Sequence, residues 1–273
     1  MKTASHRKPA EHHADHDPDP AVSHGELVPW VYDAVMWPAE KLLVRRWRRR
    51  LYGAASAAAR AGVAGAEPIP GGPRVLELGA GTGAGFAFYA PGTQVAAIEP
   101  SIVMAARARI RAVSLRGASR NGHRPGAGAG RHAVAGRSAP GGPDPTAIVV
   151  TVVGSYAEKL PFSDGSFDSA IATLTLCSVA DPAAAFAEVR RVLRPGGRLF
   201  LLEHVHNAWQ PARRLQSLAA PTWRRLAWGC RLDQDTVGLL KAAGFTVERR
   251  RDHLLGWIVE LEASAGSRGG LPS

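Results

Sequence analysis

From residue 73 onward, short apolar runs of strand length alternate with segments of helical spacing. Residues 74–78, 94–98, 147–153, 167–174, 198–203, 245–250 and 254–261 read as strands. The run at 147–153 is continuous and β-branched, which predicts a strand buried on both faces. Residues 101–113, 183–193 and 236–243 read as helices, and a shorter one leads from the glycines after Leu78 toward Tyr89. Their boundaries carry chemical signals. Ser101 is placed to cap the first, Asp181 followed by Pro182 opens the second, and Asp233 is placed to cap the third before Gly244 closes it. Strands alternating with helices predict an α/β fold with a mainly parallel sheet covered on both faces.

Upstream, residues 26–37 and 39–61 have helical character and are split at Pro38, giving an N-terminal helical segment over 26–62. In the second helix Leu42, Leu43, Trp47 and Leu51 recur at helical spacing opposite a basic face. That apolar side is expected to pack on the domain; peripheral contact with an anionic membrane surface is the alternative. Residues 1–24 are polar, with His6, His12, His13, His16 and His24 among Asp and Pro, and are expected to form a disordered tail rather than a metal site. Residues 116–145 are rich in Gly, Ala, Arg and Pro without apolar periodicity, so a disordered insertion is expected there. One domain over 25–265 is the predicted organisation, with 266–273 a second tail.

Composition adjusts this picture in two places. The chain of 273 residues is 45% hydrophobic, enough for one sizeable core, and carries a formal charge of +11. Much of that excess sits in the helix around Arg45–Arg50 and in the eight arginines between Pro100 and Pro143, where no acidic residue occurs. Neither region interleaves aromatics as a base-stacking platform would, so no nucleic-acid partner is expected. Cys177 and Cys230 are too few for a disulfide framework and suggest a reducing compartment. The first 20 residues lack the apolar core of a signal peptide, and no run of about 18 apolar residues occurs. A cytoplasmic location is expected; the oligomeric state is not readable.

The chemistry concentrates at Val75-Leu76-Glu77-Leu78-Gly79-Ala80-Gly81-Thr82-Gly83. A strand running directly into a glycine turn lets backbone approach a ligand at the carboxyl end of the sheet. Glu99 closes the next strand about twenty residues on, where a carboxylate can accept from both ribose hydroxyls of an adenosine. By themselves these features fit a nicotinamide dinucleotide or an adenosyl sulfonium equally well, since Gly79, Gly81 and Ala84 also satisfy the looser dinucleotide spacing.

Later segments separate the two. Ala157-Glu158-Lys159-Leu160-Pro161-Phe162, then Asp164-Gly165-Ser166-Phe167-Asp168, and then Arg191-Val192-Leu193-Arg194-Pro195-Gly196-Gly197 follow the glycine turn and Glu99 in order. Together they resemble class I S-adenosylmethionine-dependent methyltransferases, and they are also similar to the corresponding motifs of ubiquinone and menaquinone methyltransferases. A narrower likeness is carried by Leu174-Thr175-Leu176-Cys177-Ser178-Val179, Glu203-His204-Val205, Pro221-Thr222-Trp223, Gly229-Cys230 and the 85–92 segment. These are similar to the methyltransferase-like subgroup that includes animal thiol S-methyltransferases. The 116–145 insertion departs from that pattern, as do Ala220 and Trp228, which stand where acids are common.

The resemblance implies a Rossmann-like, seven-stranded sheet and S-adenosylmethionine as methyl donor. It implies cofactor contacts at Glu77, Gly79, Ala80, Gly81, Gly83, Glu99, Pro100, Tyr156, Ala157, Glu158, Thr173 and Leu174. Tyr156 stands where the wider class often has an adenine-contacting Asp, leaving its backbone and ring edge to help. Tyr32, Cys177, Trp209 and Trp223 fall on the substrate side. The expected reaction is methyl transfer to a small molecule, a thiol foremost, with quinone or natural-product C- or O-methylation as the alternative. A catalytically inactive cofactor-binding interaction protein is the reading from outside enzymology. His204, after the fifth strand, is the candidate general base. Cys177 and Cys230 read as small buried packing residues rather than nucleophiles. No metal site is expected, because an already electrophilic methyl group needs alignment more than activation.

Overall fold

The computed structural model describes residues 44–63, 65, 67, 69, 72–120, 147–227 and 229–266. Expectations for residues 1–43, including Tyr32, and for residues 121–146, Trp228 and 267–273 lie outside the described residues. The elements in chain order are α1 (Arg45–Ala61), β1 (Arg74–Leu78), β2 (Gln94–Ile98), α2 (Ile102–Arg120), β3 (Val149–Val153) and β4 (Phe167–Thr173). They continue with α3 (Pro182–Val192), β5 (Leu193–His204), α4 (Gln210–Leu226), α5 (Thr236–Ala242), β6 (Phe245–His253) and β7 (Ile258–Ala265). Short 3-10 turns occupy Phe86–Phe88 and Leu254–Gly256.

All seven strands join one sheet in the order β3-β2-β1-β4-β5-β7-β6. Strands β1 to β5 run parallel, whereas β7 lies antiparallel between β5 and β6. The mainly parallel expectation therefore holds, with an antiparallel hairpin finishing one edge. Alternation along the central strands divides the core between two faces. Leu76 and Leu78 of β1, with Leu199 and Leu201 of β5, meet Phe186 and Val189 of α3 and Leu240 of α5. On the other face, Val75, Phe200 and Leu202 meet Leu51, Tyr52 and Ala55 of α1 and Ala108 and Ala112 of α2. Each fully buried side chain of this size contributes roughly 1.5–3 kcal/mol of transfer free energy. Ser169 Oγ of β4 also donates to Ala55 O at 2.9 Å, tying α1 onto the sheet centre.

Two caps form as expected: Met104 N donates to Ser101 Oγ at 3.3 Å, and Ala184 N to Asp181 Oδ1 at 3.0 Å. Several readings need correction. The cap of α5 is Asp235, which accepts from Gly238 N at 2.9 Å, because Asp233 lies too far from the first turn. Strand β3 is an edge strand with Val149 39% exposed, so its continuous apolar run does not mean burial on both faces. Helix α2 continues to Arg120, seven residues past the predicted end at Val113 and into the segment taken as an insertion. The seven added residues, SLRGASR, carry no apolar stripe and include a glycine, so the sequence pattern gives no sign of a helix there. The last strand starts at Ile258, after the second 3-10 turn, rather than at residue 254. Helix α4 is an addition to the predicted elements. Pro211 in its first turn is compatible with a helix start, but Pro221 inside it interrupts the pattern that would announce a helix.

Candidate active site

Chain direction reverses between β1 and β4: the strands after β1 step outward to β2 and β3, and the chain then returns to β4 and β5. A crevice opens outside the carboxyl ends of strands at such a switch point. The glycine turn after Leu78 occupies it. Gly79 has φ +61°, and a Cβ there would lie 2.2 Å from Thr175 Cγ2. Only glycine fits. Thr175 Oγ1 donates to Leu78 O at 3.1 Å, so one side chain from the loop after β4 spans to the end of β1. Ala80 N donates to Ile98 O at 3.0 Å and Gly83 N to Ala80 O at 2.9 Å, which ties the turn to β2 and tightens it.

Glu99 is clamped onto that turn. Its carboxylate accepts from Gly81 N at 2.8 Å and from Ser101 N at 3.0 Å. Burial pushes its pKa above the ordinary range, against those two backbone bonds. Gly79, Ala80, Gly81, Gly83 and Glu99 are thus gathered at one place, with Pro100 next along the chain. Thr173 and Leu174 join them from the end of β4. Leu174 has φ +56°, a strained conformation for a γ-branched residue, and its N–H donates to Leu202 O at 2.7 Å.

Glu77 lies elsewhere. It points to the α1 face, where its carboxylate accepts from Tyr52 Oη at 2.7 Å and Tyr89 Oη at 2.8 Å. Burial pushes its pKa up to about 7, opposed by both tyrosine bonds and by Arg48. In this arrangement Glu77 braces the strand from behind rather than facing the crevice. Tyr156 is half exposed and Ala157 buried in the loop after β3. Glu158 Oε1 accepts from Asp181 N at 3.2 Å, which engages it with the α3 entrance. Arg191 holds the following residues: its guanidinium donates to Leu160 O at 3.0 Å, Phe162 O at 2.7 Å and Asp164 Oδ1 at 3.0 Å. The two motifs around Leu160 and Arg191 are therefore one structural clamp.

Next to the crevice the fold assembles a group that the sequence did not reveal. Cys230 Sγ lies 3.4 Å from Cys177 Sγ and 3.3 Å from His204 Nδ1, and Cys177 Sγ lies 3.7 Å from the same nitrogen. Both cysteines are buried free thiols. The hydrogen bond from Cys177, with help from His204, draws Cys230 toward thiolate, while Cys177 is pushed up. His204 is raised by its contact with Cys230, although burial acts the other way. Glu203, fully buried, fixes the loop by accepting from Thr175 N, Leu176 N and Cys177 N at 3.0, 3.0 and 3.2 Å. These three groups meet where the sequence reading expected packing cysteines and no metal site, and their ligand atoms lie within 4.8 Å of one another. Thr175, Glu203 and Cys230 are the site residues that spacing alone did not signal, since each partner is far away in sequence.

Of the substrate-side residues, Cys177 belongs to this cluster, and Trp223 of α4 hydrogen-bonds toward Cys230. Trp209 stands at the start of α4, 69% exposed, and is not brought into the cluster.

A seven-stranded sheet in this order, with a glycine turn and a strand-end acid at the switch point, defines a class I methyltransferase fold. A methyltransferase-domain family model matches residues 129–201. Human thiol S-methyltransferase TMT1B is 33% identical over 175 residues, covering 63% of this chain and 59% of that protein. The chain thus spans less than two thirds of the length of that relative. The ubiquinone/menaquinone C-methyltransferase UbiE of Cupriavidus taiwanensis is 34% identical over 109 residues, 34% of this chain and 44% of its own. A Bacillus halodurans C-125 structure, provisionally assigned as a methyltransferase, shares the fold with TM-score 0.51 at 16% identity, covering 73% of this chain and 95% of that one. Fold and motif order are those of class I methyltransferases, and these are the proteins the chain is similar to. Among the described residues, no helix is long and apolar enough to cross a membrane.

Proposed function

We propose that the protein transfers a methyl group from S-adenosylmethionine to a small molecule, with thiols as the foremost acceptors. The observation that carries this reading is the glycine turn at the β1/β4 switch point with Glu99 clamped onto Gly81. The residues fit an adenosyl group. A Cβ added at Gly81 would meet nothing within 4 Å, so the backbone faces open space there. The Glu99 carboxylate uses two acceptor sites on backbone amides, out of about four that an ionised carboxylate offers. The unused ones suit ribose hydroxyls.

When bound, the sulfonium donor supplies an electrophilic methyl group. The chain's task is then to hold the acceptor in line and exclude water, which can supply roughly 7–11 kcal/mol. Gly79, Ala80, Gly81, Gly83, Pro100, Tyr156, Ala157, Thr173 and Leu174 are proposed to line the donor site around Glu99. Glu77 is proposed to support it from behind. Thiols suit a site without a strong base, because at a pKa of about 8.5 a few per cent is thiolate at neutral pH. His204 Nδ1 already faces two sulfurs, so we assign His204 to that cluster rather than to proton removal. The similarity to thiol S-methyltransferases supports the thiol reading, and that to UbiE supports quinone C-methylation as the second. A small-molecule acceptor, no nucleic-acid partner and a cytoplasmic setting complete the proposal.

A screen with methyl-labelled donor over thiols, phenols and quinones tests it. Transfer to thiols supports the first reading and transfer to quinones the second. Donor binding without transfer to any acceptor would leave an inactive binding protein.

A further inference from the structure

We propose that Cys177, His204 and Cys230 form a zinc site of the open, three-ligand kind. Three separate segments deliver these residues: the loop after β4, the end of β5 and the loop after α4. Their ligand atoms all lie within 4.8 Å of one another. Tetrahedral zinc, with Zn–S about 2.3 Å and Zn–N about 2.0–2.1 Å, requires S···S near about 3.8 Å and S···N near about 3.6 Å. The observed edges are 3.4 Å between the sulfurs and 3.3 and 3.7 Å from sulfur to nitrogen. The three donors therefore already define one face of a metal tetrahedron, and small side-chain shifts would close it.

The donor types agree with the distances. Two thiolates and an imidazole select a soft or borderline divalent metal rather than magnesium or calcium. Packing alone gives no reason to converge three ionisable groups, whereas a dication would hold both sulfurs as thiolates. The surroundings are those of a prepared site. Glu203 holds the Cys177 amide, Thr236 Oγ1 donates to His204 O at 3.4 Å, and Arg231 N donates to Cys177 O at 2.8 Å. Leu174, strained two residues before Leu176, starts the same loop. Cys177 and Cys230 are buried but His204 is only partly so, which leaves the cluster a side toward solvent.

Three protein ligands leave one tetrahedral position for water or substrate. Thr175, two residues before Cys177, touches the glycine turn, so that position adjoins the proposed donor site. A thiol acceptor is its natural occupant; this part of the inference rests on the methyltransferase reading, and the ligand set does not. On binding, the acceptor releases its proton to solvent and stays as thiolate. Its sulfur lone pair then forms the new bond to the methyl carbon, while the old methyl–sulfur bond breaks and leaves its electron pair on the donor sulfur. One anion and one cation become two neutral thioethers, and the methylated product, a weaker ligand, leaves.

The test uses full-length protein without an affinity tag. Elemental analysis is expected to find zinc near one per chain. Replacing it with cobalt(II) is expected to give an intense thiolate-to-metal charge-transfer band, which histidines of the N-terminal segment cannot produce. Cys177→Ser, Cys230→Ser and His204→Ala should each weaken metal binding by more than the roughly 10–100-fold that changes to outer-shell partners cost. Thermal melts of each variant check folding, and the wild-type cobalt spectrum stands whether or not a variant folds. Adding 2-mercaptoethanol should shift the cobalt bands; an unchanged spectrum would overturn the open position. Absence of the charge-transfer band, a disulfide between the two cysteines in place of metal, or metal retained in the Cys177→Ser/Cys230→Ser double variant would overturn the site. Calorimetry with S-adenosylmethionine on the same samples separates the two proposals: donor binding by zinc-free native protein sinks only this one, and zinc without donor affinity sinks only the methyltransferase reading.

Discussion

Replacing Gly79 with alanine perturbs the point where the glycine turn and the Cys177 loop meet. Two costs add. A non-glycine residue held at φ +61° carries backbone strain of about 1–2 kcal/mol. The new Cβ would also sit 2.2, 2.4 and 2.9 Å from Thr175 Cγ2, Oγ1 and Cβ. Thr175 cannot swing away freely, because its hydroxyl is bonded to Leu78 O. Forcing a group into a packed site costs roughly 1–3 kcal/mol. Gly79→Ala is therefore expected to lose about 2–5 kcal/mol of stability, summed from the same two terms. Trimming the neighbour with Thr175→Ala removes the two closest atoms, Cγ2 and Oγ1, and leaves Cβ at 2.9 Å. In the double variant much of the overpacking should vanish while the strain remains. Urea unfolding of the wild type, both single variants and the double variant should then give a coupling energy of about 1–2 kcal/mol, with the double less unstable than the sum. Additive losses within about 0.5 kcal/mol would refute the claim that these residues compete for one volume.

Three other outcomes follow from the geometry. Glu77 has a folded pKa near 7, above the 4.5 of an ordinary glutamate. The folded state thus binds the extra proton, and the stability it contributes is fully present below about pH 4.5 and lost as pH rises through about 7. The shift of about 2.5 units corresponds to about 3 kcal/mol; Glu77→Gln should flatten that slope in urea midpoints measured from about pH 5 to about pH 8.5, and an unchanged slope would exclude Glu77 as its source. Asp168 is buried, paired with Arg194 at 3.1 Å, and accepts from Arg74 N at 3.0 Å. Asp168→Ala removes the anion paired with a mostly buried guanidinium, which keeps its bond to Glu67 O, so a loss of about 3–5 kcal/mol is expected in the same assay, and a loss below about 1 kcal/mol, the worth of a surface pair, would show that it is solvated. Glu203→Gln leaves at least one of three loop amides facing an amide donor, which should cost about 1–3 kcal/mol and loosen cobalt binding at the cysteines.

Much of the fold was legible because it is written in local patterns. The β-strands at 74–78 and 94–98 were read to the residue, since apolar runs bounded by Pro, Gly and charge leave little choice. The glycine turn and Glu99 were found for the same reason: a single loop contains one and a strand end carries the other. Reading failed where tertiary context decides. Edge or centre position, which exposes Val149, depends on strand order and not on the composition of β3. Pro221 disguised α4, yet it sits in an exposed stretch of that helix where the lost backbone bond is tolerated. The partners of Glu77 were not legible because Tyr52 and Tyr89 come from a separate helix and a turn. Cys177, His204 and Cys230 are separated by 27 and 26 residues, and only the stacking of three strand and helix ends brings them together.

A calorimetric titration with S-adenosylmethionine, run beside NAD on wild-type and Glu99→Ala protein, tests the central claim most directly. The account predicts one donor bound per chain, no heat with NAD, and strongly weakened donor binding once the carboxylate on Gly81 is gone. Preference for NAD, or donor affinity indifferent to Glu99, would contradict it.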